Sequence, residues 1–217
     1  METHTIYVLS CFNVKSTKLC IGQSYIKGIL DLSKFTKLLS LKCHNNSITE
    51  IINLPESLLY MDCHGNLLSS LDNLPNNLVE LNCSYNLIKS LNNLPYKLYQ
   101  IDCSNNKLYY LDFLPEQLEE INCSNNKITK LEDLPKELKK LYCSNNLLTS
   151  LNNLPYELKH LDCSRNKIET LYDFPKHLDK IKINLNVIEN LHKDLIKKYP
   201  NINYLEINNY DCILYKN

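Results

Sequence analysis

The chain contains no alanine and a single arginine, Arg165, among its 217 residues. Asn, Lys, Ile, Leu and Tyr dominate instead, a bias that points to an AT-rich genome and carries no chemistry of its own. Excess charge of either sign is also missing: 24 basic and 24 acidic side chains give a formal net charge of zero. Without a broad positive field, neither nucleic acid nor an anionic membrane is an expected partner. No window approaches the ~20 consecutive apolar residues of a membrane-spanning helix. The amino terminus, Met1-Glu2-Thr3-His4-Thr5 before Ile6-Tyr7-Val8-Leu9, lacks the basic segment and the apolar length of a signal peptide. A soluble, monomeric protein of the cytoplasm, its own cell's or a host's, is therefore expected. A hydrophobic content of 44% suffices to bury a core.

What is present is a repeat. Cys43, Cys63, Cys83, Cys103, Cys123, Cys143 and Cys163 follow one another at intervals of 20 residues, and each has an asparagine three positions later, Asn46 through Asn166. Apolar positions recur around them, as in Leu78-x-x-Leu81-x-Cys83-x-x-Asn86-x-Ile88-x-x-Leu91-x-x-Leu94-Pro95. The Leu-Pro pair returns from Leu54-Pro55 to Leu154-Pro155, with Phe174-Pro175 as a last variant.

The alternation in Leu81-Asn82-Cys83 is that of a short strand with one buried face. One strand per turn, ~4.8 Å from the next, builds a parallel sheet along a solenoid. A return path of about ten residues carrying a proline leaves little room for an α-helix and favours extended or 3-10 backbone. Backbone groups buried where the chain leaves the strand lack a sheet partner, and an Asn amide can both donate and accept for them. The asparagine column should therefore form a ladder, while its neighbours Asn105 and Asn125 should matter little. No turn is stable alone, so both ends need caps. Ile6–Leu9 is expected to be a leading strand, and 18–42 a degenerate first repeat with Ile21 in the cysteine slot and Ser24 in the asparagine slot. Ile183 and Asn186 keep the pattern. Leu191, Leu195, Ile196 and Tyr199 then fall at helical spacing before Pro200, and Tyr204-Leu205-Glu206-Ile207 reads as a closing strand. A single domain over 1–217 follows, with a cap at 1–18, repeats at 19–190 and a longer repeat and cap at 191–217.

From roughly Leu19 to Ile207 the pattern resembles the leucine-rich-repeat family, with cysteine in the third apolar slot of the strand. The 20-residue Leu-Pro-x form is similar to that of bacterial effectors and of giant-virus proteins, and the cysteine slot and composition fit the viral group better. The resemblance implies an α/β repeat solenoid, a horseshoe with short parallel strands on its concave face, extended or 3-10 return segments on its convex face and one carboxyl-terminal helix. It also implies a protein partner on the concave sheet. Some bacterial relatives carry a ubiquitin-ligase domain after the repeats. About ten residues follow the last strand here, so no such activity is expected, and recognising substrates for a separate ubiquitin ligase is the alternative role.

Residue constellations point the same way. The column cysteines read as small buried thiols, since a linear column offers neither paired disulfides nor a tetrahedral zinc site. His44 and His64 point away from their neighbouring cysteines, so no metal and no cofactor are expected. His160, Asp162 and Ser164 share a face, but a working triad needs its histidine between the other two, and no glycine-rich loop accompanies them. The protein is expected not to be an enzyme. Two columns project from the concave sheet: Ser40, Tyr60, Glu80, Gln100, Glu120, Lys140, His160, Lys180, and Lys42, Asp62, Asn82, Asp102, Asn122, Tyr142, Asp162, Lys182. They differ from turn to turn, whereas the return segments repeat Asn, Lys, Ser and Leu-Pro with little change. The candidate partner-binding residues are accordingly Tyr60, Asp62, Glu80, Asp102, Glu120, Lys140, Tyr142, His160, Asp162, Lys180 and Lys182, with Tyr60 and Tyr142 as aromatic anchors.

Overall fold

A computed structural model describes residues 2–168, 174–183, 201–207 and 214–215. They gather into two compact units, Met1–Leu108 and Tyr109–Asn217, built from the same turn.

In the first unit, helix α1 (Glu2–Ser10) is followed by β1 (Lys18–Cys20), β2 (Lys27–Asp31), β3 (Ser40–Lys42), β4 (Ser47–Ile52), β5 (Tyr60–Asp62), β6 (Glu80–Asn82) and β7 (Gln100–Asp102). β1, β3, β5, β6 and β7 pair in parallel in that order. Leu19, Leu41, Met61, Leu81 and Ile101 are thereby set side by side. All five are buried, as the period-two reading requires. β2 and β4 form a second, two-stranded parallel sheet. The second unit contributes β8 (Glu120–Asn122), β9 (Lys140–Tyr142), β10 (His160–Asp162), β11 (Lys180–Ile183), β12 (Tyr204–Ile207) and β13 (Leu214–Tyr215). β8 to β12 are parallel neighbours, and β13 closes antiparallel on β12.

Each cysteine slot is buried, and each N–H there extends the ladder to the next turn, as in Cys63 N–H to Asn82 O at 2.8 Å. Ile21 takes the slot in the first repeat, donating to Lys42 O at 2.8 Å, and Ile183 fills it later. The return segment turns at its proline: the Leu58 N–H donates to Pro55 O at 3.0 Å, and the bond recurs at 75–78, 95–98, 115–118, 135–138, 155–158 and 175–178. These are single turns of 3-10 type between extended stretches.

Two positions per turn lie in the left-handed region. One follows the cysteine by two residues (Asn45, Gly65, Tyr85, Asn105, Asn125, Asn145, Arg165), the other by ten (Asn53, Asn73, Asn93, Phe113, Asp133, Asn153). Asparagine tolerates that backbone better than most side chains. The expectation that Asn105 and Asn125 matter little is thus corrected: with φ of 56° and 57°, they hold the bend that brings the ladder asparagine inward.

The expected leading strand is also corrected, because residues Ile6–Leu9 lie in α1. Buried Thr5 and half-buried Val8, Leu9 and Phe12 are spaced as one helical face, and the helix packs on β2. A helix satisfies its own backbone, so it covers the end of the stack without presenting a further strand edge. The carboxyl-terminal helix expected at 191–199, and Asn186, lie outside the described residues. The closing strand is β12.

Candidate functional site

The turn carries its own polar skeleton. Asn86 Nδ2 donates to Cys63 O and Cys83 O, both at 3.1 Å, while its Oδ1 accepts the Leu68 N–H at 3.0 Å. Asn66, Asn106, Asn146 and Asn166 repeat this scheme, each joining its own turn to the one before. The cysteines between the ladder and the strands are reduced. Burial pushes their thiols upward, Cys163 to about 12, which leaves them protonated and inert as nucleophiles.

The structure divides the two columns of candidate residues by role. In the second column a side-chain oxygen accepts the N–H two residues on: Asp62 from His64 (3.3 Å), Asn82 from Ser84 (3.1 Å), Asp102 from Ser104 (2.9 Å) and Asp162 from Ser164 (3.1 Å). These half-buried groups shape the exit from the strand. The His160, Asp162 and Ser164 set is explained in the same way, since Ser164 Oγ donates to Asp162 Oδ1 at 2.7 Å and His160 instead faces Asp179 at 3.9 Å. Burial and the neighbouring Lys180 hold the His160 imidazole below its usual range. His44 and His64 stack with centroids 4.8 Å apart, and His64 Nδ1 contacts Asp62 Oδ1 at 2.7 Å. Among the described residues no group of three or more His, Cys, Asp or Glu is placed to hold a metal ion.

On the first unit's strand face, Tyr60 is 43% exposed, and neighbouring Glu80 is exposed with no ion pair among the described residues. Residue-by-residue reading missed the column one position before these strands. Leu39, Leu59, Val79 and Tyr99 stand there side by side, bonded through Leu59 N–H to Leu39 O (2.9 Å), Val79 N–H to Leu59 O (2.8 Å) and Tyr99 N–H to Val79 O (2.8 Å). Leu39 and Tyr99 are exposed, Leu59 and Val79 half-buried. The 20-residue period carried that signal: four apolar residues recur where a solvated column would be polar.

The second unit's face is charged and internally paired. Lys140 meets Glu120 at 2.9 Å, Lys139 meets Glu119 at 2.5 Å, and Lys182 meets Glu206 at 2.8 Å. The Glu206 carboxyl is held below the usual carboxylate range by hydrogen bonds from Lys182 and Tyr204, and Lys182 is raised by its bond to Glu206. Half-buried Tyr142 has its phenol pushed up by burial and by Glu120. Lys180 is exposed at the edge of this set.

With this geometry in view, solved structures give the fold its place. The chain is similar to the functional domain of InlJ from Listeria monocytogenes, which includes a cysteine ladder, with 30% identity and a TM-score of 0.77 over 88% of this chain and 43% of that one. It is also similar to YopM, a leucine-rich effector protein from Yersinia pestis, with 25% identity and a TM-score of 0.76 over 94% and 64% of the two chains. The fold is a leucine-rich-repeat solenoid. A Shigella effector leucine-rich-repeat domain shares it at 22% identity and a TM-score of 0.68, over 95% of this chain and 87% of that one. The chain spans less than two thirds of the InlJ and YopM chains. No family model and no curated protein matches it.

Proposed function

We propose that this solenoid is a non-catalytic scaffold that binds a partner protein on the exposed face of its strands, the concave face of the sequence-based expectation. The first unit's face carries the reading: exposed Tyr60 and unpaired Glu80 stand beside the apolar column from Leu39 to Tyr99. Exposed apolar side chains in a contiguous row mark interaction sites, and a rigid sheet presents them at little ordering cost. Tyr142, His160, Lys140, Glu120, Lys180 and Lys182 would supply polar contacts on the second unit. Asp62, Asp102 and Asp162 each keep an oxygen committed to the turn, so they would contribute to the rim rather than the centre.

The likeness to effector solenoids supports action in the cytoplasm of a cell, as a monomer. The recurring Leu-Pro turn supports the short Leu-Pro-x subclass, and the cysteine slot and AT-rich bias support the giant-virus group within it. Affinity capture from the native cell with mass spectrometry tests the reading. A captured partner should bind the Tyr60→Ala/Tyr142→Ala double variant more weakly, by roughly 1–3 kcal/mol for each tyrosine that is an anchor. Undiminished binding by that variant, with loss on changing Lys107 or Lys130 of the return segments, contradicts it. A ubiquitin ligase captured in stable complex would recast the scaffold as that enzyme's substrate-recognition subunit.

A further inference from the structure

One return segment departs from the self-similarity of the others. At the left-handed position ten residues after the cysteine, five turns carry Asn53, Asn73, Asn93, Asp133 and Asn153, whereas the remaining one carries Phe113 at φ 54°. The Phe113 side chain is 95% exposed. It contributes almost nothing to the core, and it occupies a backbone conformation that its neighbours assign to small polar residues. Folding alone gives no reason for an aromatic ring at that place.

The surroundings say what the ring would meet. Phe113 lines an open groove of about 680 Å3 that also contains Leu114, Leu134 and Pro135. Five carboxylates face it, Asp112, Glu116, Glu132, Asp133 and Glu137, against one lysine within the groove, Lys136. Lys130 reaches Glu132 at 3.5 Å from outside, and the other four carboxylates make no ion pair among the described residues. In a chain of zero net charge this is a concentrated negative field around an exposed apolar centre.

We infer that the Phe113 groove is a second docking surface, distinct from the strand face, and that its occupant is a basic segment of a partner protein. Lysine or arginine side chains would pair with the carboxylates, and a guanidinium or an apolar side chain would lie on the Phe113 ring. An acidic or uncharged segment would leave those carboxylates uncompensated.

Phe113→Asn provides a clean test, because it installs the residue that the repeat itself uses and should leave the melting temperature unchanged or raised. A phage-displayed library of random 12-residue peptides is depleted on the full-length Phe113→Asn chain and then selected on the wild-type chain. Survivors should be rich in Lys and Arg with at least one apolar residue. In fluorescence anisotropy they should bind the Phe113→Asn chain, and the Glu132→Lys/Glu137→Lys chain, roughly tenfold or more weakly than wild type, with affinity falling as salt rises. Their binding should persist on the Tyr60→Ala/Tyr142→Ala chain, which separates this surface from the strand face. No survivors, survivors without basic residues, or survivors indifferent to both groove variants would overturn the inference. So would a wild-type dimer in sedimentation equilibrium that Phe113→Asn dissolves, since the occupant would then be a second copy of this chain.

Discussion

Replacing Asn106 by alanine tests the ladder at one rung. The side chain accepts the Ile88 N–H at 3.0 Å and donates to Cys83 O at 3.0 Å, Cys103 O at 3.1 Å and Ser104 O at 3.2 Å. Its amide has two hydrogens for three carbonyls, so about three full hydrogen bonds are lost, each with a net value near 1 kcal/mol. Asn106 is only 9% exposed, so water can replace few of these bonds, and the expected loss is about 3 kcal/mol. The adjacent Asn105 sets the comparison. It has φ of 56° and one side-chain bond, to Ser104 Oγ at 3.2 Å, and its replacement by alanine should cost about 1 kcal/mol for the left-handed backbone. Urea unfolding followed by circular dichroism and by tyrosine fluorescence measures both, and the two probes must coincide because stacked turns can lose cooperativity. Equal midpoint shifts for the two variants, or a loss below about 1 kcal/mol for Asn106→Ala, would refute the assignment of the ladder as the main polar support.

Three further outcomes are expected. Of the nine described cysteines, exposed Cys11 and Cys20 should react with a thiol reagent in the native state, and the seven column thiols only after denaturation; rapid labelling of the column would contradict its burial. Gly65 has φ of 64°, and a methyl group there would press on the Asn45 side chain, so Gly65→Ala should lower stability by about 1–2 kcal/mol where an ordinary surface change costs under ~0.5 kcal/mol in thermal melts. The Lys182–Glu206 pair lowers the glutamate and raises the lysine, so its contribution is complete between their usual ranges. It is lost as pH falls through the carboxylate's folded value or rises through the lysine's. Both side chains are partly exposed, which holds the effect below ~1 kcal/mol, and Lys182→Met should flatten the acid limb of melting temperature against pH.

The core and ladder were legible because each turn repeats the same residue at the same place. Leu81, Cys83 and Asn86 announce their roles through twenty-residue copies, and the Leu-Pro turn does so equally. Terminal residues have no copies, and there Ile6-Tyr7-Val8-Leu9 invites a strand by its β-branched and aromatic content. The alternative set of Thr5, Val8, Leu9 and Phe12 is visible only if a threonine is admitted to the buried face. Asn105 looked idle because its contribution is a backbone angle rather than a contact. The apolar column from Leu39 to Tyr99 was hidden for another reason: it flanks the strands, where period-two alternation no longer says which way a side chain faces.

The ladder also has a direction. Asn106 serves the Ile88 N–H, 18 residues earlier, and the Cys83 carbonyl, 23 residues earlier, and Asn86 stands in the same relation to Leu68 and Cys63. Every turn is therefore finished by residues of the turn that follows. A chain emerging from a ribosome completes each turn one turn late, with an open N–H and an open carbonyl at its growing end until the next asparagine arrives. Cutting the stack after any turn recreates that open end, whereas removing turns from the amino-terminal side leaves the asparagine of the new first turn with unused hydrogen-bonding capacity, which solvent can satisfy.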